Sequence, residues 1–313
     1  MTTNSSPAPL ARKEPYHTVR QYEQRPVWRL GTEFLQHEQM GSHILQYCAT
    51  MNQEPSPRKS SNKIFAQQFR YMTCFNLISN YMSWKRGEGK PPTLKALQET
   101  VSASPRHVAD LIAALRDSGH VTAQRQATDR RSIYLIPSPK LLLEVARSPL
   151  SFLKISESIR PADRSLADLL VGNSDLLALW IARSIEEFKK LDIVFRPFPN
   201  VVQFSTRDAG YLILTAVIGS YYSKIHQDEP WHGDLAPENL AGRFGVSRQH
   251  VRNLFSEAKE NGVFAVSSGQ LSEISPALVD EFETWSVGQM AHYRLLAEEM
   301  RDLAETETIS AHL

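Results

Sequence analysis

In the stretch SRQHVRNLFSEAKENGVF, Ser247, Arg248, Gln249, Arg252 and Asn253 alternate with apolar residues at regular intervals. Their chemistry is recognition rather than bond breaking. Gln and Asn offer a donor beside an acceptor, and Arg offers a planar fork of donors. Val251, Leu254, Phe255 and Ala258 recur at i, i+3, i+4 and i+7, one buried stripe of a helix. With Val251 turned inward, Gln249, Arg252, Asn253 and Ser256 point away from the core. Ser247 is a residue type that caps a helix N-terminus. Arg248 stands beside it, where free N–H groups and the helix dipole favour a phosphate.

The elements that would hold these residues follow from their flanks. Leu240-Ala241 and Phe244-Gly245-Val246 read as a shorter helix and a tight turn just upstream. Downstream, Asn261-Gly262 supplies a left-handed helix end, and Val263 to Val266 starts a strand. Helix, turn, capped helix and strand is the order of a winged helix-turn-helix, whose second helix normally enters a DNA major groove.

The pattern occurs twice. Shifted by 143 residues, Ser104 falls on Ser247, His107-Val108 on His250-Val251, Leu111 on Leu254 and Gly119 on Gly262. A shift of 140 brings Tyr71, Ile78, Tyr81 and Ser83 onto Tyr211, Ile218, Tyr221 and Ser223. A period of this size indicates two copies of one module. In the first copy Ser104, Pro105, Arg106 and His107 open the helix, with Ala109, Asp110 and Ala113 facing away from the core. Its wing reads as strand, turn and strand, with Arg125, Asp129, Arg130 and Arg131 at the tip to reach phosphates or a minor groove. The matching VSSGQLSEIS contains no Lys or Arg. Residues 93–140 carry seven Lys/Arg against four Asp/Glu, and residues 236–283 the reverse, four against seven. The two reading faces differ, so an asymmetric double-stranded operator of about 20 base pairs is expected, its halves roughly one turn apart.

Composition bounds the rest. The 313 residues, 42% hydrophobic and 22% charged, suit two domains with a sizeable core. The net charge of +1 argues against a nonspecific polyanion binder but leaves a local basic patch open. No apolar run approaches a membrane span, and MTTNSSPAPLARKEP has no secretory core, which points to a cytoplasmic protein. Cys48 and Cys74 read as two buried thiols. Ten scattered histidines without zinc spacing, no Gly-rich phosphate loop and no nucleophile motif argue against an enzyme, a metal site or a cofactor.

Along the chain, residues 1–26 read as a flexible arm, 27–150 as the first module and 151–313 as the second. Helices are expected over 28–51, 63–85, 139–160 (interrupted by Pro149), 165–191, 209–226 and 276–305, with a linker at 52–62. The fold class is mainly α with small β-wings: two tandem winged helix-turn-helix domains on a helical scaffold.

The segment LRDSGHVTAQRQATDRRSIYLIPSP resembles the MarR family, the multiple-antibiotic-resistance regulators, in its helix end, Gly, strand and Asp-Arg-Arg wing. The resemblance covers most of residues 27–310 and is sharp over the two motif regions. It implies that Arg130 and Arg131 contact DNA while Asp129 orients the wing. That family forms homodimers of about 150-residue subunits, so this chain is similar to two subunits fused into a pseudo-dimer acting as a monomer. The second copy departs from the family in lacking the Asp-Arg wing. The resemblance also implies a small aromatic effector near Tyr71, Tyr81, Tyr211 and Tyr221, residues that otherwise read as core aromatics. A transcriptional regulator is the expected function. A tandem winged-helix replication initiator and a winged-helix protein-interaction module remain alternatives.

Overall fold

A computed structural model describes residues 13–53, 67–125, 132–226 and 234–311. Helices dominate, and the strands among the described residues form two separate antiparallel pairs. The first part runs α1 (Pro26–Leu35), α2 (Met40–Asn52), α3 (Gln68–Lys85), α4 (Leu94–Thr100), α5 (Pro105–Asp117), β1 (Val121–Arg125), β2 (Ile133–Pro137) and α6 (Pro139–Ile159). The second runs α7 (Leu166–Gly172), α8 (Ser174–Lys190), α9 (Pro199–Ser205), α10 (Gly210–Ile225), α11 (Pro237–Phe244), α12 (Arg248–Glu260), β3 (Phe264–Ser267), β4 (Gln270–Ile274) and α13 (Pro276–Ala311).

Local chemistry sets many of these ends. The side chains of Thr93, Ser104, Ser138, Ser165, Asn173 and Ser247 each accept from a first-turn amide, and proline opens α5, α6 and α11. Helices α5 and α12 both span 13 residues and coincide end for end under the shift of 143. Each is followed by a glycine at positive φ, Gly119 at 73° and Gly262 at 65°, which lets the chain turn directly into a strand.

Three expected helices differ. The span 28–51 is broken between Leu35 and Met40, where the Gln36 amide is held by the backbone of Lys13 on both sides. The span 165–191 is broken at Asn173, whose Oδ1 accepts from Asp175 and Leu176 and starts a new helix. Conversely, α6 runs through Pro149 without interruption. A proline there removes the donor for the Val145 carbonyl, and the Tyr71 hydroxyl takes its place at 2.7 Å. The expected module boundary at residue 150 therefore falls inside a continuous helix. The flexible arm expected over residues 1–26 is ordered in its described part, residues 13–26. Residues His17–Tyr22 form a 3-10 turn with Val19 fully buried, and the Tyr16 amide donates to Thr284 Oγ1 at 2.9 Å. The expected linker at 52–62 lies almost wholly outside the described residues.

The packing crosses the middle of the chain. Helix α2 packs on α10, α3 on α8, and α6 on α13, while α1 lies along α13. The α1–α13 approach is close because Gly288 faces the Trp28 ring, where an added Cβ would come within 2.6 Å. Both α3 and α10 are largely buried, each covered by a helix from the other half of the chain. This exchange fits the apolar character of α10, and it leaves α3 burying Thr73, Asn76 and Ser79 beside its apolar residues.

Candidate nucleic-acid interface

In each half a short helix, a turn, the 13-residue helix and a two-stranded hairpin follow in order. Within α5, Val108, Leu111, Ile112 and Leu115 are buried, which turns Arg106, His107, Asp110 and Ala113 to solvent and leaves Ala109 half-buried. Within α12, Val251, Leu254 and Ala258 are buried, Phe255 is half-buried, and Arg248, Gln249, Arg252, Asn253 and Ser256 are exposed. Ser104 and Ser247 act as N-caps, accepting from His107 at 3.3 Å and His250 at 3.1 Å. Both serines, and Pro105 beside the first, are exposed at the helix tips.

The two exposed faces are not equivalent. On α12, Gln249 Nε2 donates to Asn253 Oδ1 at 2.7 Å, and Arg252 Nη2 donates to Glu238 Oε1 of α11 at 2.9 Å. His250 sits 2.8 Å from the Asp208 carbonyl. On α5, Arg106 makes no ion pair among the described residues, and Lys95 of α4 is likewise exposed. Sequence periodicity identified the outward side chains of α12 but could not show that they hold one another, because the partner Glu238 comes from a different helix.

The hairpins differ too. Strands β1 and β2 pair from Val121↔Pro137 to Arg125↔Ile133, and Arg125 is exposed at the outer end. Asp129, Arg130 and Arg131 lie outside the described residues. The second hairpin closes through Ser268 and Gly269, both at positive φ, which suits a two-residue turn. It is tied down by Lys224 Nζ on the Leu271 carbonyl and by the Leu235 amide on the Gly269 carbonyl.

Of the four tyrosines expected at an effector site, two meet. Tyr71 and Tyr211 line a cavity of about 110 Å³ with Arg147, Phe188, Trp285 and Tyr293, drawn from α3, α6, α8, α10 and α13. Tyr81 and Tyr221 do not line it. Tyr81 packs against Trp84, and Tyr221 meets Tyr222 edge-on. The hydroxyls of Tyr71 and Tyr211 are already engaged, with Val145 and with Tyr47, and Tyr47 also reaches Ser148 at 2.7 Å. Burial pushes all three phenols well above their ordinary range, so they stay neutral. The Arg147 guanidinium has no ion-pair partner among the described residues. Sequence reasoning missed Arg147 and Tyr47; each sits on a helix whose apolar neighbours masked it.

Cys48 and Cys74 are both free and buried, and burial raises their thiols. Among the described residues no cluster of His, Cys, Asp or Glu could hold a metal, and no helix is long and apolar enough to cross a membrane. No family model matches the chain, and no curated protein or solved structure matches it.

Proposed function

We propose that the chain is a sequence-specific DNA-binding transcriptional regulator, built as two tandem winged helix-turn-helix units in one polypeptide and working as a monomeric pseudo-dimer of the MarR type. One observation carries this reading. Two capped helices of 13 residues, identical in bounds under one shift, each present a polar face after a short helix and before a hairpin. In this reading α5 and α12 enter successive major grooves of one asymmetric duplex. The first unit supplies most of the phosphate contacts through Arg106, Arg125, Arg130 and Arg131.

Fluorescence anisotropy on genomic duplexes over a salt series tests it. Phosphate neutralisation makes log affinity fall linearly with log salt. Absence of duplex binding at low salt sinks the proposal. A protein-interaction module would show no such slope. A replication initiator would favour repeated elements over a single asymmetric site. The cavity beside Tyr71, Tyr211 and Arg147 supports the effector part of the reading: it is aromatic-walled, carries a cation, and touches both α3 and α10, the helices that precede the two units.

A further inference from the structure

The ion pair on the second reading helix carries an inference that rests on the proposed DNA-binding function. Arg252 and Glu238 are both about half exposed, with side-chain exposures of 55% and 46%, and their contact is 2.9 Å. A pair this exposed adds little to stability, so its place in the fold calls for another reason. Glu238 is the second residue of α11 and Arg252 the fifth of α12, so the contact joins the two helices of the motif across their turn. It engages Nη2 of the guanidinium and leaves the other donors of the planar fork. One turn of the same face is also locked by Gln249 on Asn253.

The first half ties its two motif helices differently: Gln98 Nε2 donates to the Pro105 carbonyl at 2.8 Å, and among the described residues no carboxylate there holds an arginine of α5. Under the shift of 143, Glu238 corresponds to Lys95 and Arg252 to Ala109. A carboxylate that orients an arginine is replaced there by a cation with no arginine to orient. We infer that Glu238 is a positioning residue: it aims Arg252 at a base edge, so the half-site under α12 is read through a guanine while the half-site under α5 is held mainly through phosphates. Arginine pairs bidentately with guanine O6 and N7 only when its plane is set. A carboxylate oxygen holding Nη2 restricts where the guanidinium points before the duplex arrives.

The experiment is selection of binding sites from a randomised duplex pool with the parent, Glu238→Gln, Arg252→Ala and the double variant. The parent should enrich a guanine at one position of one half-site. Glu238→Gln should relax that preference by about tenfold, while affinity for unselected duplex stays level or rises, since a negative charge has been removed. Arg252→Ala should relax it at least as far, and the double variant no further than Arg252→Ala alone. Thermal unfolding of Glu238→Gln should match the parent. If Glu238→Gln binds every sequence more tightly with the guanine preference intact, Glu238 is only a repelling charge and the inference fails. It also fails if the parent binds duplex with no base preference under α12, an outcome that leaves the proposed function standing. A parent that binds no duplex overturns both.

Discussion

The Tyr71 hydroxyl donates to the Val145 carbonyl at 2.7 Å, supplying the bond that Pro149 cannot make four residues on. This bond links α3 to α6 at the point where the 21-residue helix runs through a proline. It also removes the Tyr71 hydroxyl from the ligand-binding role that its position suggests, leaving only its ring to face the cavity.

Replacing Tyr71 by Phe leaves a buried carbonyl without a donor, which should cost about 1–3 kcal/mol. Adding Pro149→Ala restores a backbone donor to that carbonyl, so the double variant should recover part of the loss. Chemical denaturation of the three variants measures it. Equal losses from Tyr71→Phe with and without Pro149→Ala would break the link between the two residues.

His292 is buried on α13 with Nε2 2.9 Å from Ser184 Oγ, and burial pushes it down to about 4. The folded state therefore favours the neutral ring, while the unfolded chain protonates it below about 6.5. Its contribution is fully present above that value and is lost as pH falls towards 4, on the order of 3 kcal/mol. Denaturation midpoints of the parent and His292→Gln, taken from about pH 7.5 to about 4.5, should converge at the acid end. Parallel curves would show that the histidine does not govern the slope.

Gly288 lies against the Trp28 ring, with 2.6 Å left for an added Cβ. Trp28 is itself 1% exposed. Gly288→Ala should destabilise by about 1–3 kcal/mol through overpacking, despite the better helix propensity of alanine. A raised melting temperature would mean that α1 shifts along α13 at no cost.

Replacing Arg130 and Arg131 together by Ala should weaken duplex binding on all sequences and flatten the salt slope by about one or two phosphates. Replacing Gln249 or Asn253 should instead relax sequence preference, by about 1–3 kcal/mol for each base no longer read. Competition titrations with matched and mismatched duplexes separate the two, and identical profiles from both sets would contradict this division.

An aromatic carboxylate should raise the melting temperature by binding the folded state alone. Arg147→Leu should abolish that shift without lowering the melting temperature of the unliganded chain. A shift that survives the substitution would move the ligand elsewhere.

What the residues determined unaided is short-range. Ser104 and Ser247 as caps, the buried stripes of α5 and α12, the glycines that end them and the strands that follow all depend on neighbours within about one turn. For the same reason the outward side chains of α12 were legible. Only the tertiary structure decided which surface buries α3 and α10: α8 over the first and α2 over the second, each from the opposite half of the chain. It alone decided that Pro149 does not end α6, because the rescuing donor lies 74 residues away. It also separated Tyr81 and Tyr221 from the cavity and brought Arg147 into it. Periodicity fixes which face of a helix is hidden but carries no label for its partner, since burying apolar area is favourable against any surface of matching shape.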